Sequence, residues 1–260
     1  MRRVSRGEGL VIVAAARQRQ QTHRQQDTER RVARSERKTA VLFDLDGTLI
    51  DTKRLYLECY RRAVEPRLAR RPSDDELMAL RPRSEIRFLG ALVPPAEVDA
   101  CMNDFWKHYD ALHATHFGGV YDGVPELLDG LRARGHRLGI VTGKSRRSWD
   151  ITAPIARLGP FDVVVLDDDV RAAKPDPHGI RLALQRLDTP PANAIYVGDT
   201  LSDVLAARAA GVQPFAATWG RRTDPEGFAE RAAAEGARIV RRPDELIEAL
   251  TSSPTPDSRS

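Results

Sequence analysis

Residues 41–49 read Val41-Leu42-Phe43-Asp44-Leu45-Asp46-Gly47-Thr48-Leu49. An apolar run suited to a buried strand stops at two carboxylates, then continues into a Gly and a Thr. Side chains two residues apart at a strand end lie on one side of the chain before it turns away. Two like charges so placed repel each other, and a divalent cation is the simplest relief. A lone Asp-x-Asp is also how an ordinary strand runs into a loop. The strands further along decide between these readings.

Strand-like runs recur at Leu138–Val141, Val163–Leu166, Ala194–Val197 and Gln213–Ala217, with a weaker one at 238–240. Helical patterns lie between them. Pro125–Arg134 sets Leu127, Leu128 and Leu131 on one face and runs into Gly135, a good helix stop. Asp176–Leu187 and Leu201–Ala210 repeat the pattern. This alternation predicts βαβ units and an α/β fold, a doubly wound, Rossmann-like parallel sheet. One interval breaks it. Residues 52–119 show no convincing strand, and Tyr56, Tyr60, Val64 and Leu68 recur at helical spacing. An α-helical cap inserted after the first strand is expected there, over strand ends where open α/β sheets bind ligands. The expected division is a basic extension at 1–39, an α/β core at 40–51 and 120–250, the helical cap at 52–119, and a flexible tail at 251–260.

The other strands also end in polar residues. Leu138–Val141 runs into Thr142-Gly143-Lys144-Ser145, where a hydroxyl precedes a helix start and favours an anion. Lys174 precedes Pro175, which holds it out of helical geometry. Val197-Gly198-Asp199-Thr200-Leu201-Ser202-Asp203 ends a strand in Gly-Asp and puts a second Asp on the next helix. Each match alone has a plain reading as a cap or a solvated charge. Four in order do not.

The Asp-x-Asp-Gly-Thr stretch with Thr142, Lys174 and Asp199/Asp203 resembles the haloacid dehalogenase superfamily. The resemblance covers residues 40 to about 250, and with Tyr121-Asp-Gly-Val-Pro-Glu126 and Lys174-Pro-Asp-Pro177 the chain is similar to the phosphoglycolate phosphatase and pyrophosphatase branch. It implies Asp44 as nucleophile, forming an aspartyl-phosphate, and Asp46 as general acid, then base. Thr142 would bind the phosphoryl group and Lys174 would offset its charge. The implied cofactor is Mg²⁺, held by Asp44, the carbonyl of Asp46, Asp199 and Asp203. The implied activity is Mg²⁺-dependent hydrolysis of a small phosphorylated metabolite, a phosphate monoester of phosphoglycolate type. A phosphomutase of the same fold and an inorganic pyrophosphatase are the alternatives. Asp46 argues against a dehalogenase, which needs no acid for a phosphate leaving oxygen.

The formal net charge of +4 is uneven. Residues 1–39 hold eleven Lys/Arg against four Asp/Glu, whereas the rest holds thirty against thirty-three. The arm has one short apolar patch, Leu10–Ala16, and cannot bury enough surface to offset ordering. It is expected to be dispensable, and no nucleic-acid partner is expected. No run is long enough for a membrane span, so no membrane partner is expected either. Cys59 and Cys101 make no metal or redox pattern and are expected as half-buried thiols of a cytoplasmic protein, monomer or homodimer. Arg81, Arg83 and Arg87 are either a clamp for a second anion or a solvated helix face. His108, His113 and His116 are expected at the surface or in packing, and Trp149 as a packing anchor.

Overall fold

The computed structural model describes residues 40–80, 84–221 and 223–251. The basic arm and most of the tail lie outside them, as do Arg81 and Arg83. The chain opens with β1 (Ala40–Phe43). A short antiparallel pair, β2 (Ile50–Asp51) and β3 (Gly119–Val120), then brackets a helical segment. That segment holds α1 (Lys53–Leu68), α2 (Asp74–Ala79), α3 (Glu85–Gly90) and α4 (Val98–His116). After it come α5 (Val124–Ala133), β4 (Arg137–Val141), α6 (Arg146–Ala156), β5 (Val163–Val165) and α7 (His178–Arg186). The chain continues through β6 (Ala194–Gly198), α8 (Leu201–Ala209), β7 (Gln213–Ala217), α9 (Pro225–Ala234), β8 (Arg238–Val240) and α10 (Pro243–Thr251).

Six strands form one parallel sheet in the order β5-β4-β1-β6-β7-β8. The chain winds outward from β1 through β4 to β5, then crosses back and winds the other way from β6. The reversal lies between β1 and β6, where an open α/β sheet leaves a crevice beyond its carboxyl edge. Strand alternation divides the core. Val41, Phe43, Ile140 and Val197 pack with Leu127, Leu128 and Leu131 of α5 and Leu246 of α10. Leu42, Val141 and Tyr196 face the other way, onto Ile180 and Ala183 of α7 and Ala206 and Ala207 of α8. This is the period of two that a sheet covered on both faces requires.

The helical segment has an apolar cluster of its own. Leu55, Cys59, Tyr60 and Val64 of α1 meet Phe88 and Leu89 of α3 and Phe105 and Tyr109 of α4. Burying each large side chain contributes about 1.5–3 kcal/mol, so these helices have a core separate from the two that cover the sheet. Three expectations need correcting. The 52–119 interval, read as free of strands, ends in β3, and β3 pairs with β2 just before it; elements of two residues are too short for alternation to reveal. Cys59 and Cys101 are fully buried rather than half-buried, because they lie on the inner faces of α1 and α4. The helix predicted from Asp176 starts at His178 instead. Asp176 stands outside it and accepts from the His178 N–H at 2.9 Å.

Candidate active site

The site residues sit at strand ends or in the segments that follow them. Asp44 follows β1, and its backbone N–H is held by the Val197 carbonyl at 2.8 Å, so the β1 and β6 ends are fixed together. Gly47 carries the turn with φ +85, and a Cβ there would lie 2.6 Å from Oδ2 of Asp199. Only glycine lets the backbone pass so close to that carboxylate. Gly198 serves β6 in the same way, because a Cβ would lie 2.4 Å from the Cβ of Asp203. Asp203 closes the first turn of α8. Its Oδ2 accepts from the Thr200 N–H at 3.0 Å and from the Thr200 hydroxyl, while the Asp203 N–H returns a bond to that hydroxyl.

Asp44, Asp199 and Asp203 converge, with one carboxylate oxygen from each inside a 4.8 Å group. Lys174 enters the same space. Its ammonium donates to Asp44 Oδ1 at 2.8 Å, Asp203 Oδ1 at 2.6 Å and the Tyr196 hydroxyl at 2.9 Å. The Tyr196 hydroxyl in turn donates to the Val141 carbonyl at 2.8 Å. Burial pushes Asp44 upward, against the pull of Lys174, with Asp203 and Asp46 adding to the rise. Burial and the Asp203 and Asp44 charges push Asp199 up to about 8. Burial opposes the charge of Lys174, yet Asp203 and Asp44 outweigh it and hold the ammonium well above its ordinary value.

The donor set fits a hard cation. Asp199 is half-buried, and among the described residues only the Thr48 hydroxyl reaches its carboxylate, at 3.4 Å. A half-buried carboxylate so poorly satisfied, beside two buried ones, favours a counter-ion. All-oxygen donors suit Mg²⁺ better than zinc. Arg221 donates to the Asp199 backbone carbonyl at 2.8 Å, and Trp219 Nε1 to the Thr48 carbonyl at 2.7 Å, so the loop after β7 braces two of these turns.

Thr142 stands past the end of β4, beside β1. Its N–H donates to the Val165 carbonyl at 3.1 Å, and its hydroxyl accepts from the Lys144 N–H at 3.3 Å. The Asp46 side chain faces away from the three converging aspartates and towards the helices. Its Oδ1 accepts from the Thr52 hydroxyl at 2.7 Å and pairs with the Lys144 ammonium at 3.2 Å. Lys144, Tyr56, Tyr109, Thr52, Thr48 and Arg221 were not among the expected site residues. Tyr56 and Tyr109 fell on apolar helical spacing and read as core. Lys144 stood two residues beyond Thr142, in a stretch read only for its hydroxyl. Of the remaining expectations, His113 is buried with Nε2 against the Thr152 hydroxyl at 3.2 Å, and Trp149 packs on the sheet cluster. Arg87 donates to the Arg171 carbonyl at 3.2 Å.

A sequence model of haloacid dehalogenase-like hydrolases matches residues 41–217. The chain belongs to this family. It is 38% identical over 189 residues to pyrophosphatase PpaX of Bacillus velezensis, covering 70% of this chain and 84% of that one. The fold is similar to CbbY of Rhodobacter sphaeroides, solved with phosphate (TM-score 0.68, 25% identity, 80% of this chain and 96% of that one). It is equally similar to a candidate phosphoglycolate phosphatase of Lactobacillus plantarum (TM-score 0.68, 25% identity, 81% and 98%). This haloacid dehalogenase-like hydrolase thus has relatives named for phosphate chemistry. Among its described residues no helix is long and apolar enough to cross a membrane.

Proposed function

We propose that this hydrolase is a Mg²⁺-dependent phosphatase that cleaves a small phosphate monoester through an aspartyl-phosphate on Asp44. The observation that carries the reading is the convergence of Asp44, Asp199 and Asp203 around the Lys174 ammonium at the switch point of the sheet.

Asp44 presents a carboxylate at the carboxyl edge of β1, pinned through Oδ1 by Lys174, which leaves Oδ2 for attack on phosphorus. Lys174 also offsets charge that builds on the phosphoryl oxygens. Thr142, on the neighbouring strand end, supplies a hydroxyl and the N-terminal approach to α6, both suited to those oxygens. Asp46 lies two residues on and is held through Oδ1, so Oδ2 is available to give a proton to the leaving oxygen and later to take one from water. Asp44, Asp199, Asp203 and the Asp46 carbonyl would hold Mg²⁺. When bound, that ion supplies positive charge that lets an anionic nucleophile approach an anionic phosphate. The helical segment 52–119 acts as a cap that shields the phosphoryl group from solvent.

Inorganic pyrophosphate is the second reading, favoured by the 38% identity to a protein named pyrophosphatase PpaX. A panel of 2-phosphoglycolate, sugar phosphates, p-nitrophenyl phosphate and pyrophosphate, assayed with and without Mg²⁺, tests both. Magnesium-dependent phosphate release from a monoester is expected. Release from pyrophosphate alone would favour the second reading, and isomerisation of a sugar phosphate without phosphate release would point to a mutase.

A further inference from the structure

A second lysine, this one fully buried, lies a few residues from the phosphoryl site, and the proposed chemistry does not use it. Lys144 follows β4, and its side chain is fully buried. Three oxygens surround Nζ: the Tyr56 hydroxyl at 2.7 Å, the Tyr109 hydroxyl at 2.7 Å and Asp46 Oδ1 at 3.2 Å. Its three N–H groups are thereby taken. The rings of Tyr56 and Tyr109 also lie 4.5 and 4.8 Å from Nζ, so the cage is aromatic as well as polar.

The cage comes from the helices, not the sheet. Tyr56 is on α1 and donates to Glu85 Oε1 at 2.6 Å. Glu85 is at the start of α3, and its Oε2 takes the hydroxyls of Ser145 and of Ser148, the latter at 2.9 Å. Tyr109 is on α4 and lies 2.8 Å from the Thr152 hydroxyl, which is 3.2 Å from His113 Nε2. Donation runs outward without conflict, from Lys144 to the two phenols and from them to Glu85 and Thr152. Three cap helices therefore fix the position of one ammonium, and that ammonium grips one oxygen of Asp46.

We propose that Lys144 is a positioning residue that makes the aim of Asp46 depend on the seating of the helical cap. This rests on the reading of Asp46 as the proton-transfer group. With α1, α3 and α4 in place, Tyr56 and Tyr109 press Lys144 against Oδ1, Thr52 takes the same oxygen, and Oδ2 is left facing the leaving group. With the helices lifted, the phenols leave, and a buried cation has no reason to stay at that point. Lys144 does not serve as a ligand for substrate, because its donors are already taken by protein oxygens.

The test uses the full chain with Mg²⁺ and two probes that differ in leaving group, phenyl phosphate and p-nitrophenyl phosphate. Nitrophenolate leaves without a proton, so a group acting through Asp46 matters less to its release. Lys144→Met should lower kcat for phenyl phosphate about 10–100-fold, within the usual worth of proton transfer, with KM within about threefold. The first-turnover release of p-nitrophenol should fall far less. In an Asp46→Asn background, Lys144→Met should change kcat by less than about twofold, because two residues acting as one unit are not additive. Tyr109→Phe and Tyr56→Phe keep the ammonium and should show the same coupling, which decides the matter if Lys144→Met does not fold. Equal fold losses with and without Asp46, or a loss confined to KM, would overturn the proposal while leaving the phosphatase reading intact. A wild-type protein that hydrolyses neither probe with Mg²⁺ would remove the phosphatase reading, and this inference with it.

Discussion

Two enclosed lysines, Lys144 buried and Lys174 half-buried, stand thirty residues apart in sequence and serve different halves of the molecule. Lys174 is neutralised by Asp44 at the end of β1 and by Asp203 in the first turn of α8, the helix that follows β6. Lys144 is neutralised by Asp46 and held by phenols from α1 and α4. Burial opposes the charge of each, and neighbouring anions outweigh it and raise both. The difference lies in what holds the anions. The Lys174 partners cannot move without breaking the β1 and β6 ends. The Lys144 cage exists only while two packed layers stay in register. On the proposed function, one lysine would belong to a rigid anion and metal site, and the other would report on the position of the helical segment.

The largest expected effect lies on the rigid side. Asp44→Asn should abolish turnover, since an amide is a poor nucleophile and a neutral metal donor. Its melting temperature should hold or rise, because the change removes a buried charge that the fold already disfavours. Single-turnover assays beside thermal melts check both halves, and residual turnover near the wild-type rate would refute covalent chemistry at this position.

Substituting each lysine by Met separates the two. Lys174→Met leaves Asp44 and Asp203 facing each other unpaired, and breaking such a buried pair costs about 3–5 kcal/mol. A cation between the three aspartates replaces part of the lost charge, so Mg²⁺ should recover much of that stability. Lys144→Met exposes no aspartate of the converging group, and Mg²⁺ should recover little. Thermal melts of both variants with and without Mg²⁺ measure this, and equal recovery would mean the two sites are electrostatically one.

Metal-free protein carries a further consequence. Asp44 and Asp199 have folded pKa values raised above the ordinary carboxylate value, Asp199 to about 8. A group raised in this way favours folding most at acid pH, and that contribution is lost as pH climbs through the folded value. Stability without metal should thus decline between pH 6 and 8. Mg²⁺ binds the ionised form, so the gain in melting temperature on adding it should grow over the same interval. A gain that stays flat from pH 6 to 8 would show that these carboxylates are already ionised.

The rigid half was readable in the chain because its residues are local. Asp44 and Asp199 follow strand patterns directly, and Pro175 announces a Lys174 freed from helical geometry. Their companionship follows from their order at the ends of parallel strands, which share one edge, together with the resemblance that the motifs carry. The other half was hidden by distance and by dual character. Tyr56 lies 88 residues from Lys144, and a tyrosine at helical spacing buries its ring whether or not its hydroxyl finds a charge. Nothing local in the sequence marks Glu85 as buried. The β2–β3 pair escaped for a simpler reason, because two residues carry no period.

The smallest expected effect is at Glu85, the far end of the cap cage. Its carboxylate accepts the Tyr56 hydroxyl on one oxygen and two serine hydroxyls on the other. Burial raises its pKa, against the pull of Lys144 and of those hydroxyl donors. Glu85→Gln keeps the shape and one acceptor but turns an amide N–H₂ towards hydroxyls that had been donating. The loss of one such bond is worth about 1 kcal/mol, roughly 2–4 °C in melting temperature for a chain of this size. The sign of its pH dependence follows from linkage. A raised carboxyl stabilises the wild type most below the unfolded value of about 4.3, and that stabilisation declines as pH rises. Glutamine has no such decline. The deficit of the variant should accordingly be larger near pH 5 than near pH 8, measured at a constant Mg²⁺ concentration. A deficit that grew with pH would mean that the Glu85 charge, paired with Lys144, stabilises the cap more than burial opposes it, and the cage would then be an ion-pair network rather than a chain of hydrogen bonds.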